Sequence, residues 1–114
     1  MTNEQIKRCR ANEIRFMARM LDGDNELAER LYKRCVRFML RYGRWSTVDV
    51  SENLTGYQLE MHEHEGDLLR NLERILNDEL GRYGLHFEHN GLYPTLYTND
   101  GNHGPWLITY GNLS

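Results

Sequence analysis

"NELAERLYKRCVRFMLRYGR", residues 25 to 44, carries Leu27, Leu31, Cys35, Phe38, Met39 and Tyr42 at helical spacing. At about 100° per residue these side chains gather on one side of a helix, and Arg30, Arg34, Arg37, Arg41 and Arg44 collect on the other within roughly 80° of arc. Such a helix must bury its apolar arc, so the flanking segments are expected to supply matching faces. Gly43 is the natural end of the helix, because glycine is weak inside helices and common just past them.

Toward the N-terminus, Thr2 and Gln5 have the spacing of a capping box, which opens a first helix. Its wheel places Ile6, Cys9, Phe16, Met17, Met20 and Leu21 on one side and Arg8, Arg15 and Arg19 on the other. Asp22-Gly23-Asp24-Asn25 follows as a turn with a candidate N-cap for the second helix. Two amphipathic helices joined by so short a link are expected to lie antiparallel.

Toward the C-terminus, "RWSTVDVS" alternates through Ser46, Val48 and Val50 and predicts a short strand. Leu68, Leu69, Leu72, Ile75, Leu76, Leu80 and Tyr83 then restore the helical period. That third helix begins either at Thr55, whose spacing to Gln58 is another capping box, or after Gly66, where a break or kink is reasonable; Gly81 or Gly84 closes it. In "LHFEHNGLYPTLY" the Asn90-Gly91 pair predicts a two-residue hairpin turn, with His89 opposite Leu92 and Phe87 opposite Pro94. "WLITY" reads as a closing strand with Trp106, Ile108 and Tyr110 on one face. The expected fold is α+β: two antiparallel N-terminal helices and a third helix packed on one face of a small three- to four-stranded antiparallel sheet, with residues 1–114 forming a single domain.

The chain has 114 residues, a hydrophobic fraction of 39%, a charged fraction of 27% and a formal net charge of −3, a globular composition. Residues 1–44 hold eleven Lys and Arg against six Asp and Glu, whereas residues 45–114 hold three against eleven. The basic and acidic halves imply a charge dipole. The polar start and the lack of a long apolar run argue against a membrane and for a cytoplasmic location. Cys9 and Cys35 form no C-x-x-C motif and fall on apolar arcs, where a thiol behaves as a small hydrophobe.

The sharpest candidate for function is the arginine face. An amphipathic helix needs a polar side in any case, and Glu26 with Arg30 and Glu29 with Lys33 provide ordinary i, i+4 support. The row beyond Arg34 contains no acid, however, and the planar guanidinium fork suits bidentate contacts to phosphate or carboxylate. The expected partner-binding set is Arg8, Arg15, Arg19, Arg30, Arg34, Arg37, Arg41 and Arg44, and the expected partner is a polyanionic macromolecule, either an acidic protein surface or nucleic acid. The expected function is binding or regulation without catalysis and without a cofactor.

Two other readings compete. Glu60, Glu63, Glu65, Asp67, Glu73, Asp78 and Glu79 could present carboxylates to the basic groove of a nucleic-acid-handling protein, as a phage or mobile-element type inhibitor does. Alternatively, the histidine-rich half could serve a small metal-dependent enzyme. On an extended segment His62 and His64 would share a face, with His86, His89 or His103 completing a zinc sphere; on a helix they point about 200° apart. His103, expected in a loop beside Asp100, is the candidate acid-base residue. Tyr93, Tyr97, Trp106 and Tyr110 are a candidate aromatic sheet face, either packed beneath the helices or open to a partner.

Overall fold

The computed structural model describes residues 2–48, 50, 54–89, 95–98 and 103–106, the last four and residue 98 by their backbone. Three helices come first: α1 (Asn3–Arg19), α2 (Asn25–Ser46) and α3 (Gly56–Gly81). Three short strands follow: β1 (Leu85–Glu88), β2 (Thr95–Thr98) and β3 (His103–Trp106). The fold is α+β and mostly helical.

Local chemistry sets the helix starts. The Thr2 hydroxyl accepts from Gln5 N–H and the Gln5 amide oxygen from Thr2 N–H, at 3.2 and 2.8 Å, closing a capping box. Thr55 and Gln58 repeat the motif at α3, and Asp24 caps α2 by accepting from Leu27 N–H at 3.0 Å. Asp22 and Gly23 turn the chain between α1 and α2 with φ of 57° and 82°, the left-handed values a reversal of this kind uses.

The expected boundary at Gly43 and the strand through Ser46, Val48 and Val50 are both overturned. Helix α2 runs through Gly43 to Ser46, and Thr47 is its C-cap. Packing accounts for the extension. The Trp45 indole N–H donates to the His62 carbonyl at 2.8 Å, and its ring stacks on the His62 imidazole at a centroid distance of 4.8 Å. A tertiary contact of this size outweighs the local β preference of the segment. The Gly43 carbonyl is satisfied by Thr47 N–H and by the hydroxyls of Ser46 and Thr47.

The break at Gly66 is likewise absent, since α3 is continuous from Gly56 to Gly81. Gly66 is buried and leaves room for Trp45: a Cβ at this position would lie 2.8 Å from Trp45 Cζ2. A glycine that looks like a weak point in sequence is a notch between two helices.

The hairpin forms in a different register. Phe87 pairs with Leu96 and Leu85 with Thr98, two residues away from the expected alignment of Phe87 with Pro94. A shift of two preserves the buried face, because side chains alternate with period two. It sets two buried side chains, Phe87 and Leu96, opposite one another and keeps Pro94 out of the described ladder. The expected Asn90-Gly91 turn lies outside the described residues. Strand β3 pairs antiparallel with β2 at Thr95–Trp106 and Tyr97–His103, with an irregularity between. The described sheet is therefore one regular two-stranded ladder, β1 with β2, joined by a short, irregular third strand; of the three to four strands expected, no fourth is present among the described residues. His103 lies in β3 and not in a loop, and residues 107–110 of the expected closing strand lie outside the described residues.

Met17, Leu31, Tyr32, Cys35, Leu80, Leu85 and Leu96 are fully enclosed and belong to one apolar cluster that joins the helices to the sheet. The apolar arc of α2 sits against it along its whole length. Phe16 of α1 and Ile75 of α3, expected on buried arcs, are instead 45% and 47% exposed. No helix among the described residues is long and apolar enough to cross a membrane.

Candidate polyanion-binding face

The five arginines of α2 divide into two rows at seven-residue spacing. Arg34 and Arg41 lie on the side of the helix toward α3 and are held there by carboxylates. Arg34 pairs with Glu79, and Arg41 makes a two-pronged contact with Glu65, Nε and Nη2 to the two carboxylate oxygens at 2.6 and 3.1 Å. The hydrogen bond from Arg41, aided by its charge, holds the Glu65 carboxyl below its ordinary range, and the same hydrogen bond raises the guanidinium. Arg30, Arg37 and Arg44 form the second row; they are exposed and have no carboxylate partner among the described residues. Arg8, Arg15 and Arg19 are also exposed, on the side of α1 away from buried Met17.

Two small clefts meet at Arg37. The first, about 210 Å³, lies between α2 and α3, with Arg34, Arg37 and Arg41 around a floor of Phe38, Leu72 and Leu76. Its origin is geometric: Arg34 and Arg41 are about 10 Å apart along α2, but their partners Glu79 and Glu65 are about 21 Å apart along α3. The two ion pairs diverge, and the cleft opens between them. The second cleft, about 190 Å³, lies between α1 and α2 and is lined by Arg10, Tyr32, Lys33, Val36, Arg37 and Leu40.

Arg10 escapes a reading of the polar faces because it lies on the buried side of α1, seven residues before Met17. That position is itself the signal, since an arginine on an apolar arc needs a reason. Its Nε is sealed from solvent without a hydrogen-bond partner among the described residues. Glu13, on the same arc, is buried and accepts a hydrogen bond from the Tyr32 hydroxyl, so a polar link crosses the α1–α2 interface beneath the second cleft.

The acidic half is largely engaged within the molecule. Glu65 and Glu79 bind Arg41 and Arg34, Asp67 and Asp78 pair with Arg70 and Arg74, and Glu73 lies 2.8 Å from His89 Nε2. Of the seven carboxylates considered for mimicry of nucleic acid, Glu60 and Glu63 remain without a partner among the described residues.

The histidines whose side chains are described do not converge. His62 and His64 both lie within α3, where their directions differ by about 200°, and His62 is committed to Trp45. His89 is enclosed by the rings of Tyr42, Phe38 and Phe87 at 4.5, 5.6 and 6.1 Å, and it ties the end of β1 to Glu73 of α3. Among the described residues no three metal-ligating side chains come together. Burial pushes the Cys35 thiol up to about 12, the state of a core side chain and not of a nucleophile. Of the aromatic sheet candidates, Tyr97 stacks on His86 at 5.3 Å, while Tyr93 and Tyr110 lie outside the described residues.

Comparison of the chain with models of protein families, with curated proteins and with solved structures finds no match.

Proposed function

We propose that this protein is a non-enzymatic binding protein that engages a polyanionic macromolecule through the open arginines of α2. The observation that carries the reading is the division of the stripe: Arg34 and Arg41 are neutralised from within, whereas Arg30, Arg37 and Arg44 are exposed and have no carboxylate partner among the described residues. The preferred set is therefore narrower than the full row. Arg30, Arg37 and Arg44 make the primary contact, Arg8, Arg15 and Arg19 extend the charge along α1, and Arg34 and Arg41 hold α2 to α3.

Nucleic acid is the partner class favoured, because exposed guanidinium groups repeated along one helix suit a backbone of repeated phosphates without requiring base recognition. The test is fluorescence anisotropy with a labelled single-stranded oligonucleotide and, separately, with a labelled polyglutamate. Three phosphate contacts give a slope of log K against log salt of about −2 for a single strand. Reversal of Arg30, Arg37 and Arg44 to Glu abolishes binding while circular dichroism is unchanged. Failure of both polymers to bind at low salt, or equal binding by the reversed variant, overturns the reading; binding of polyglutamate alone transfers it to an acidic protein surface.

A further inference from the structure

We propose that the cleft between α1 and α2 is a phosphate-binding site, in which Arg10, Lys33 and Arg37 converge on one phosphate group above an apolar floor of Tyr32, Val36 and Leu40. The proposal deepens the polyanion reading, on which it rests, by naming the anion and the place where it is gripped. Four observations carry it.

The first is convergence. Three cations from two helices line a single cleft, and no carboxylate lines it among the described residues. The cleft between α2 and α3 differs, because two of its three arginines are already paired with Glu79 and Glu65. Lys33 does touch Glu29 at 3.0 Å, but both side chains are more than half exposed, so this surface pair yields readily when a stronger anion arrives.

The second is the orphaned donor. Arg10 Nε is sealed from solvent without an acceptor among the described residues, an uncommon state for a charged group, and a small outward turn of the side chain presents it to an anion in the cleft. The third is size. At about 190 Å³ the cleft falls below the range that encloses a whole drug-sized ligand, which suits a single group presented by a larger molecule. The fourth is chemistry. One guanidinium fork can satisfy a carboxylate, whereas donors approaching from two helices match the several oxygens of a tetrahedral phosphate. The buried Tyr32 and Val36 beneath them form a low-dielectric floor that reduces screening from one side.

The phosphate has two possible sources, a free phosphate compound or the backbone of a nucleic-acid strand. The experiment follows the arginine Nε–Hε correlations of the ¹⁵N-labelled full chain by NMR, titrated separately with inorganic pyrophosphate and with a single-stranded oligonucleotide lacking terminal phosphates. Chloride at matched ionic strength is the control. The expected result is a saturable shift of the Arg10 and Arg37 signals that chloride does not reproduce. The Arg10→Lys variant, which keeps the charge but loses the enclosed Nε–H, weakens pyrophosphate at least tenfold, and its amide spectrum reports whether the fold is retained. A shift with the oligonucleotide assigns the backbone as ligand, and a shift with pyrophosphate alone assigns a free phosphate compound.

An Arg10 signal unmoved by either ligand, or moved equally by chloride, overturns the site. The wild-type titration decides this even if the variant does not fold. Oligonucleotide binding that is lost on reversal of Arg30 and Arg44 while Arg10 stays unmoved leaves the polyanion reading standing without this cleft. Saturable pyrophosphate binding at Arg10, with neither oligonucleotide nor polyglutamate bound, leaves the cleft and removes the macromolecular partner.

Discussion

Gly66→Ala is the substitution that most directly tests how α2 and α3 are joined, because two physical effects of opposite sign meet there. In an exposed helix interior, alanine is favoured over glycine by about 1 kcal/mol. Here the new Cβ would stand 2.8 Å from Trp45 Cζ2 and 3.3 Å from Cε2, so the indole must move. Overpacking of this kind costs about 1 to 3 kcal/mol, and losing the Trp45 hydrogen bond to the His62 carbonyl adds about 0.5 to 1.5 kcal/mol. The balance is a loss of about 0.5 to 3.5 kcal/mol, obtained by setting those costs against the gain in propensity. Urea unfolding followed by far-UV circular dichroism measures it, with the midpoint falling and the slope unchanged. In a Trp45→Leu background the obstruction is gone, and the same substitution should then stabilise by up to about 1 kcal/mol, so a double-mutant cycle isolates the contact. A Gly66→Ala variant more stable than the parent by the full propensity gain would refute the notch.

The Arg41–Glu65 contact predicts that Glu65→Gln frees a cation and tightens oligonucleotide binding, with a salt slope steeper by about 0.7, read from anisotropy at several salt concentrations. The depressed Glu65 carboxyl stabilises the fold above its ordinary value of 4.5, and this contribution is lost as pH falls through the lower folded value; Glu65→Gln therefore flattens the acid limb of a stability profile. Cys35, pushed from 9.0 up to about 12 by burial, should resist a thiol reagent at pH 8 in the native protein while half-buried Cys9 reacts first, and rapid native labelling at Cys35, located by mass spectrometry, would contradict that burial. The Cys35 shift also lowers stability as pH rises from 9.0 toward 12, because the unfolded thiol ionises while the folded one does not.

What the sequence revealed and what it hid follow from the range of the interactions. The caps at Thr2, Asp24 and Thr55 were legible because donor and acceptor are three residues apart. The α2 arc was legible because burial of one helix face imposes a local period. The end of α2 was not, because Trp45 is held helical by His62 and Gly66, whose proximity exists only once α2 and α3 pack. Gly66 misled for the same reason, since its missing side chain has meaning only beside the indole. The hairpin register was not legible either, because setting buried Phe87 opposite buried Leu96 is a tertiary preference that no local signal carries. At the candidate site the arginines could be counted in advance, but their division could not. Residues 34 and 79 are far apart in the chain, and nothing local says that Arg34 meets a carboxylate while Arg37 meets none among the described residues.

That division has an energetic consequence that separates a binding surface from a merely soluble one. Arg37 lies one helical turn from Lys33, Arg34 and Arg41, and no acid lies three or four residues away on either side. Like charges at these spacings disfavour a helix by about 0.2 to 0.5 kcal/mol each, so three of them cost roughly 0.6 to 1.5 kcal/mol. The pairing of Arg34 and Arg41 with α3 relieves part of this repulsion, and an anion bound at Arg37 relieves the rest. Arg37→Gln changes helix propensity little and removes the repulsion, so the expected outcome is a rise in stability of up to about 1.5 kcal/mol together with weaker binding of the oligonucleotide and of pyrophosphate. The two measurements must move in opposite directions, as they do when a residue is kept at the expense of the fold. Should urea unfolding show Arg37→Gln to be destabilised, the side chain is part of the packing over Phe38 and Leu72, and its exposure has a structural cause.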